Sequence, residues 1–493
     1  MNANFSTPDW VKNAIFYQIF PDRFARGGSY LIPNNLEPWD SPPTISGFKG
    51  GDLLGIVEKL DYLEDLGINA LYFNPIFQSA SNHRYHTHDY FRVDPLLGDN
   101  ETFKSLLAEA HQRGIKIILD GVFNHASRGF YQFNHLLECG AASPYTDWFL
   151  PESFPLNAYH GKPNFECWAG LPALPKFNIC NQEVKDYLFD VARYWLDMGI
   201  DGWRLDVPGD ITDPDFWRDF RNLVKGVNPE AYLVGEIPWQ AEEWLQGDKF
   251  DGVMNYQFTQ ACLAFFGGQA IDSYLSANLM GLPQTQCWNG TQFAARVMDL
   301  VCIYPEEAVY AQLNLLSSHD IPRFLSLVSN QVQNFRLAIL FQMTFPGAPC
   351  IYYGDEIGMV NGPSRNPEDT RYAFSWNQAS WNYEIHNFVQ HCIQLRRKNS
   401  ALTTGDFKII AADDNKLTYI RQTKTQTLVI IINNSDTLSK IDLNLSSHFP
   451  PQARLKDLLT ANTVSLYDGV LHDLRLDPKN GVILEIALSN QHP

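Results

Sequence analysis

The sequence lacks the cysteine patterns that hold small metal-binding or disulfide-rich domains together. Its eight cysteines are scattered over 493 residues, from Cys139 to Cys392, without a CxxC pair. This distribution argues against a zinc ribbon and a dense disulfide framework, and it fits a reducing cytoplasm. The histidines form neither an HExxH motif nor a His–Cys spacing typical of a metal site.

Long apolar runs and an excess of positive charge are also missing. The N-terminus, MNANFSTPDWVKNAIFYQIF, has no basic segment followed by an apolar run, so no signal peptide is predicted. No stretch is long enough to span a bilayer, and we expect no membrane partner. With a net charge of −18, the protein would repel nucleic acid, whereas a neutral ligand is compatible with this field.

Aromatic residues are abundant instead. They make up 13% of the chain and include 12 Trp and 22 Tyr. A large aromatic core is the simplest explanation; the alternative is that some rings form apolar platforms with polar edges, as carbohydrate sites need. The length and the 45% hydrophobic content predict a globular protein of two or three units, one of them large.

Eight short apolar runs alternate with helical patterns between residue 15 and about residue 395. The runs start at Ile15, Ile68, Lys116, Asp201, Ala231, Asp251, Leu313 and Ala348. Near-continuous apolar strands of this length suit a parallel sheet that is covered on its outer face. A doubly wound sheet has the same local pattern, but the count of eight favours a (β/α)8 TIM barrel.

Two helices are predicted with their ends. In GDLLGIVEKLDYLEDLG the apolar residues recur at three- and four-residue spacing from Leu53 to Leu63, and Gly67 can end one helix. EVKDYLFDVARYWLDMG repeats the pattern and places Gly199 at the corresponding end.

Two segments depart from the alternation. Residues 126–181 are rich in Pro, Asn and aromatics and too long for an ordinary loop, which predicts a small subdomain inserted after the third strand. From residue 399 to 493, short strands separated by Asn-Gly, Asp-Gly and Asp-Asp turns predict a C-terminal antiparallel β-sandwich. Residues 1–125 and 182–398 then form the barrel.

Four carboxylates follow predicted strands: Asp120, Asp206, Glu236 and Asp320. One acid after a strand often caps the next helix, but in a parallel barrel these four would share the rim where such folds place their chemistry. Cleavage of a glycosidic bond requires one ionised carboxylate and one protonated carboxyl group. The sequence therefore predicts a glycosidase site.

Neighbouring residues suggest which acid does what. Arg204 shares a strand face with Asp206 and is predicted to keep it ionised, as a nucleophile requires. Glu236 follows the apolar run YLVG without a basic neighbour, which predicts a raised pKa and a general acid. Asp320, preceded by His319, would bind sugar hydroxyls and support the developing positive charge.

Further ligand contacts are predicted beside these acids. His125, His319 and His86 suit donors to sugar hydroxyls, with ordinary loop histidines as the alternative. Tyr85 could lie flat against a sugar ring, although simple packing would also explain it.

These residues stand in motifs that resemble the α-amylase family, glycoside hydrolase family thirteen, from about residue 10 to the end. The motifs are DGVFNH, GWRLD, the strand ending in Glu236, and SSHD. LPKFN before the third helix, with FYQIFPDRF and FKGGDLLGIVEKLDYLEDLGINALYFNPIF, resembles the neopullulanase, cyclomaltodextrinase and maltogenic amylase subfamily.

The resemblance implies a retaining double displacement. Asp206 would be the nucleophile, Glu236 the acid/base and Asp320 the transition-state stabiliser. The substrate-binding residues that we take over or add are Tyr85, Asp120, His125, Arg204, Asp210, His319 and Arg371. No cofactor is expected: Gly51 and Asp52 match part of a calcium site, but the loop ARGGSYLIPNN lacks its aspartate-rich run.

Two departures from the subfamily bear on specificity. Members usually carry an N-terminal β domain, whereas here the barrel begins within the first twenty residues, so we expect an open cleft that admits branched or polymeric glucans. The subfamily's Val-Ala-Asn-Glu after the nucleophile is replaced by Val207, Pro208, Gly209 and Asp210. This shorter acid on a rigid turn is expected to change acceptor binding.

The expected function is an α-glucan hydrolase that acts on α-1,6 branch points, α-1,4 bonds or both, with a debranching preference. A cyclomaltodextrinase or maltogenic amylase that acts mainly on α-1,4 bonds with transglycosylation is the first alternative. A non-catalytic glucan-binding relative is the second. The ratio of the two cleavages and the oligomeric state, monomer or homodimer, are left open.

Overall fold

The computed structural model describes residues 5–28, 31–213, 215–277, 279–364 and 366–486. Eight parallel strands, each within a predicted run, are β1 Phe16–Ile19, β2 Ala70–Phe73, β3 Lys116–Gly121, β4 Gly202–Leu205, β5 Tyr232–Gly235, β6 Gly252–Val253, β7 Leu313–Leu315 and β8 Ala348–Tyr352. They neighbour one another in the order β6-β5-β4-β3-β2-β1-β8-β7. A parallel bridge between Met254 and Leu313 closes the ring. The predicted (β/α)8 barrel is confirmed.

The α-helices of the described chain are Asp9–Lys12, Pro21–Phe24, Leu53–Val57, Leu60–Leu66, Asn100–Gln112, Tyr131–Cys139, Gln182–Met198, Phe216–Val227, Tyr256–Cys262, Gly290–Cys302, Glu306–Tyr310, Phe324–Leu327, Val332–Thr344, Tyr383–Lys398 and Ser400–Thr404. Helix Gln182–Met198 ends at Gly199, whose φ of 116° is left-handed, as predicted. Among the described residues, none of the helices is both long and apolar enough to pass through a bilayer.

The prediction of one helix before β2 is wrong in one respect. The segment forms two helices, Leu53–Val57 and Leu60–Leu66, and Gly67 ends the second with a φ of 99°. Between them the backbone N–H of Lys59 bonds to the carbonyl of Ile56, three residues back, so the regular four-residue ladder is interrupted. The apolar spacing alone does not reveal such a tightened turn, because both pieces still bury the same face.

The segment after β3 forms the predicted insertion. It contains helix Tyr131–Cys139 and is tied together by antiparallel bridges between Pro151 and Phe165 and between Cys167 and Pro175. The rings of Phe133, Phe149 and Phe165 are buried against one another. The domain boundaries drawn from the sequence stay a prediction.

The C-terminal strands form the predicted antiparallel unit. They are β9 Asp406–Ala412, β10 Lys416–Gln422, β11 Thr427–Asn433, β12 Ser439–Asn444, β13 Arg454–Asp457, β14 Thr463–Tyr467, β15 Val470–Leu476 and β16 Asn480–Ile486. Their order is β9-β10-β11-β16-β13-β14-β15-β12.

Strand β11 explains why its sequence is apolar at nearly every position. Its residues Leu428, Ile430 and Ile432 face the core shared with the barrel. Val429 and Ile431 face a separate core inside the C-terminal unit. Because both faces of the strand are covered, the alternation of a half-exposed strand is absent.

Candidate active site

The four predicted carboxylates meet at the carboxyl end of the barrel. Asp120 lies in β3, while Asp206 and Glu236 follow β4 and β5 directly. Asp206, Glu236 and Asp320 line one cavity of about 980 Å³. Asp120 is fully buried beneath them. The site thus lies where parallel barrels place their chemistry.

The side chain of Arg204 holds three of these acids together. Its Nη1 donates to Asp120 Oδ1 at 2.7 Å and to Asp206 Oδ1 at 2.8 Å. Its Nη2 lies 2.5 Å from Glu236 Oε1. The guanidinium is fully buried, so a single positive charge faces three carboxyl groups that are largely removed from water.

Burial is the largest influence on the pKa values of both Glu236 and Asp206. Burial raises the pKa of Glu236 to about 7, against the opposing charge of Arg204, and this confirms the predicted direction. Burial also raises the pKa of Asp206 well above its ordinary value, and the neighbouring carboxyl groups add to the effect. Arg204 lowers this pKa, but one guanidinium is shared among three acids and does not offset burial. The ionised state of Asp206 stays a prediction.

Asp320 behaves in the opposite way. Partial removal from water would raise its pKa, but His319 Nε2 at 2.9 Å and Arg371 Nη2 at 3.2 Å hold the pKa below its usual range. Arg371 also donates from Nε to the backbone carbonyl of His319 at 2.9 Å. This carboxylate is therefore ionised at neutral pH.

Tyr85 connects the two groups of acids. Its hydroxyl donates to Asp120 Oδ2 at 2.9 Å and lies 2.6 Å from His319 Nε2. The rings of Tyr85 and His319 are parallel, with centroids 5.5 Å apart. Burial raises the pKa of the phenol well above its ordinary value, so the hydroxyl remains protonated.

Neutral imidazoles line the wall beside Tyr85. Burial lowers the pKa of His125 to about 3 and that of His86 to about 4. The His125 ring stacks on Trp168, with centroids 5.5 Å apart, and its Nε2 has no hydrogen-bond partner within the described protein. His83 lines the same wall. The sequence did not single out Trp168 among the tryptophans, because no periodicity ties the insertion to the barrel rim.

The loop after Asp206 has an unusual backbone. Val207 has a φ of 36°, which is rare for a β-branched residue, and its N–H points to Glu236 Oε2 at 3.2 Å. A side chain at Gly209 would come within 3.0 Å of the ring of Trp239, which is 53% exposed. Trp239 was not predicted from the sequence, where its one signal is its position three residues after Glu236.

Asp210 lies away from the acids. Its side chain is exposed and is not among the described residues that line the cavity. Its backbone carbonyl accepts a hydrogen bond from Lys176 Nζ at 3.1 Å. A role of Asp210 in acceptor binding stays a prediction.

The residues that match part of a calcium site already have partners. Asp52 Oδ1 accepts from the N–H groups of Gly27 and Gly55 and so caps helix Leu53–Val57. A side chain at Gly51 would collide with the carbonyl of Pro21. Calcium requires about six to eight oxygen ligands, of which Gly51 and Asp52 could supply only a part. Among the described residues, no three metal-ligating side chains gather at one point.

A closed parallel barrel with an acid pair on one guanidinium, and a third ionised carboxylate across the cavity, defines a glycoside hydrolase. Residues 18–401 match the catalytic domain of α-amylase, and residues 407–483 match the C-terminal domain of neopullulanase-like proteins. The chain belongs to the α-amylase family.

Similar proteins within this family carry different names. The chain is 44% identical over 447 residues to a cyclomaltodextrinase of Geobacillus thermopakistaniensis (strain MAS1), which covers 90% of this chain and 72% of the relative. It is 45% identical to a debranching enzyme of Nostoc punctiforme, with a TM-score of 0.86 over 98% of this chain and 100% of that one. A cyclic α-maltosyl-(1→6)-maltose hydrolase of Arthrobacter globiformis is 36% identical, with a TM-score of 0.85 over 97% and 100%.

Proposed function

We propose that this protein is a retaining α-glucan hydrolase that cleaves α-1,6 branch points, α-1,4 bonds or both, with a debranching preference. The observation that carries the proposal is the acid pair Asp206 and Glu236 on one guanidinium, with ionised Asp320 in the same cavity. Two carboxyl groups bridged by Arg204 suit the short separation of retaining enzymes rather than the wider one of inverting enzymes.

The first step transfers the sugar to the protein. Protonated Glu236 gives its proton to the glycosidic oxygen as the bond to the leaving glucan breaks. Asp206 attacks the anomeric carbon; Arg204 holds its Oδ1, while no described residue donates a hydrogen bond to its Oδ2. In the second step, ionised Glu236 takes a proton from water, which attacks the same carbon and releases Asp206.

A nucleophile must be ionised, and the transition state itself favours the ionised form of Asp206. The anomeric carbon becomes positive as the bond breaks, and this charge favours the ionised form of a carboxylate beside it. Asp320, kept ionised by His319 and Arg371, adds a second negative charge at the same point. Binding of the reacting sugar thus opposes the effect of burial, which raises the pKa of Asp206 in the free site.

The cavity wall suits a neutral, polyhydroxylated ligand. Neutral His86 and His125 can donate to or accept from hydroxyl groups without a net charge. Trp168, Leu171 and Met280 provide apolar surface for sugar rings in the same cavity. These features support α-glucans as the substrate class.

The debranching preference rests on the acceptor side and on similarity. Gly209 lies against the ring of Trp239, which follows Glu236 by three residues and is exposed, so it offers an apolar surface to a ligand. The Nostoc protein is named a debranching enzyme, and the name of the Arthrobacter hydrolase contains a 1→6 linkage. The second candidate, a cyclomaltodextrinase, is supported by the Geobacillus relative.

The proposed location is the cytoplasm. All eight cysteines are unpaired, and four of them, Cys139, Cys180, Cys287 and Cys302, are exposed. Unpaired exposed thiols suit a reducing compartment.

We also propose that the enzyme needs no calcium, because a lysine holds the loop where the partial match lies. Lys49 Nζ donates to the carbonyls of Pro38 at 2.9 Å and Ser41 at 2.6 Å, and to Ser41 Oγ at 2.7 Å. It also lies 3.1 Å from Glu37 Oε2. This ammonium group supplies the positive charge that a metal would otherwise bring to such oxygens.

Asp206→Asn is expected to lower kcat on maltooligosaccharides by on the order of 10⁴-fold, because an amide cannot form the covalent intermediate. Ligand affinity, measured by calorimetry, is expected to stay within about tenfold, since the amide oxygen can still accept from Arg204. Asp190→Asn, an exposed acid on helix Gln182–Met198, is the control with normal activity. Retention of more than about a tenth of kcat would exclude Asp206 as the nucleophile.

Glu236 is expected to set the alkaline limit of activity. Since the free enzyme needs the proton on Glu236, kcat/KM should fall as pH rises through about 7. Glu236→Gln is expected to remove this alkaline limb. The variant should keep a larger fraction of the normal kcat on nitrophenyl maltosides than on maltooligosaccharides, because the nitrophenyl leaving group needs no proton. Persistence of the same limb in Glu236→Gln would assign it to another group.

Products from pullulan and from a maltosyl-branched cyclodextrin test the linkage. Cleavage of α-1,6 bonds gives maltotriose from pullulan and free maltose from the branched ring, whereas α-1,4 cleavage of pullulan gives panose-type trisaccharides. We expect α-1,6 products to dominate, and products of α-1,4 cleavage alone would remove the debranching preference. Longer sugars formed from concentrated maltotriose would instead favour the cyclomaltodextrinase reading.

Asp210→Ala provides the matched comparison for the acceptor loop, since it leaves the three carboxylates in the cavity unchanged. If Asp210 helps to hold the acceptor, the ratio of α-1,6 to α-1,4 products changes. An unchanged ratio would show that the Asp210 side chain takes no part in acceptor binding.

Lys49→Met is expected to lower Tm by a few degrees, because the loss of a buried ammonium leaves carbonyls unpaired at a cost of about 1–3 kcal/mol. EDTA and added calcium are expected to leave the Tm of the unsubstituted protein unchanged. Lys104→Met, at an exposed lysine, is the control. A lower Tm in EDTA would refute the proposed independence of calcium.

A further inference from the structure

A buried glutamine lies behind the acids and takes no part in the mechanism described above. Gln18 belongs to β1 and is fully buried. Its Nε2 lies 3.1 Å from Asn74 Oδ1 and 3.0 Å from His319 Nδ1. Asn74 in turn donates from Nδ2 to the hydroxyl oxygen of Tyr85 at 3.0 Å. The two amides therefore reach the stacked pair of Tyr85 and His319 from below.

The hydroxyl of Tyr85 fixes where the proton of His319 lies. Its single hydrogen is donated to Asp120 Oδ2, and its oxygen accepts from Asn74. The same oxygen lies 2.6 Å from His319 Nε2 and has no second hydrogen to give. The hydrogen between these two atoms must therefore belong to Nε2.

The other ring nitrogen, Nδ1, faces the amide nitrogen of Gln18. One amide hydrogen of Gln18 satisfies Asn74 Oδ1 and the other satisfies His319 Nδ1. A doubly protonated His319 would point its Nδ1–H at these hydrogens. Turning the amide round would relieve that clash but would leave Asn74 Oδ1 buried without a donor.

We infer that Gln18 is a positioning residue that holds His319 in the neutral form with its proton on Nε2. The inference rests on the proposed function for its consequence. A neutral His319 keeps its Nε2 2.9 Å from Asp320 Oδ2 without bringing a positive charge that would cancel that of the carboxylate. An imidazolium at the same distance would compensate the negative charge that the oxocarbenium ion needs.

The groups around His319 pull in both directions. Burial lowers the pKa of His319; Asp320 opposes this by favouring a positive ring, while Arg371 and Arg204 add to the lowering. His83 lies on the same side, and burial keeps its pKa well below the ordinary value. Asp320 is the charge nearest to His319, and it favours a proton on both ring nitrogens. The N–H of Gln18 opposes this at Nδ1, because it needs an unprotonated nitrogen to accept its hydrogen bond.

The tautomer can be measured directly in the whole protein by nitrogen NMR of [¹⁵N]histidine, with His319 assigned from the signals that His319→Asn removes. We expect Nδ1 unprotonated and Nε2 protonated between about pH 5 and 8. A protonated Nδ1 in the unsubstituted protein overturns the inference. This readout needs no activity, so a failure of the proposed function is recognised separately, by Asp206→Asn.

Gln18→Glu places an acceptor against Nδ1 and is expected to stabilise the imidazolium. Its kcat should fall about tenfold or more at the acidic end and recover as pH rises, while KM changes less than about threefold. The nitrogen signals of His319 should show both nitrogens protonated over the same pH range. An unchanged pH profile together with unchanged nitrogen signals overturns the inference.

Gln18→Met and Gln342→Met separate positioning from packing. Gln342 is another buried barrel glutamine, whose Nε2 donates to the backbone carbonyls of Asn314 and Cys350. Both variants are expected to lose stability, but Gln18→Met alone should give a mixture of His319 tautomers and a lower kcat. Equal effects of the two variants on the tautomer or on kcat would reduce Gln18 to a packing residue.

Discussion

The site depends on one buried positive charge, the guanidinium of Arg204, shared by three carboxyl groups. Strand register produces this arrangement: Arg204 in β4 pairs with Asp120 in β3 on one side and with Val234 in β5 on the other, two residues before Glu236. Removing one member would leave a buried charge without compensation, which is far more costly than losing an exposed ion pair. The register of β3, β4 and β5 therefore sets the geometry of these acids.

The positions of strands and of the acids that follow them could be predicted from the periodicity of the sequence. The way in which one charge is shared by several acids could not. Each barrel strand announces itself as an apolar run, and an acid directly after such a run must lie on the rim, which is why Asp206 and Glu236 could be placed. That Arg204 contacts Asp206 also followed from spacing. Only the folded barrel shows that Arg204 divides its charge among three acids. Its share at Asp206 does not offset burial, which raises the pKa of that acid. Trp239 was missed because an irregular loop carries no period.

One strained backbone position lies directly next to the acids. The left-handed backbone of Val207, which costs on the order of 1–3 kcal/mol, directs its N–H to Glu236. The following turn is secured from beneath, where Trp217 donates to the carbonyl of Pro208 at 3.1 Å. A rigid turn with a glycine then lies under Trp239. The N–H that points to Glu236 and the turn under Trp239 thus share one strained connection, so a change that relaxes Val207 would disturb both.

Control of charge is divided between the two sides of the cavity. On one side Arg204 supplies a fixed positive charge that three carboxyl groups share. On the other side His319 lies against Asp320, where a second positive charge would be harmful, and Gln18 reaches it from β1 with a donor rather than an acceptor. A donor at that position favours the uncharged ring at any pH at which the amide keeps its orientation. Asp320 therefore keeps a negative charge that can stabilise a cationic transition state, although burial alone would favour its protonated form.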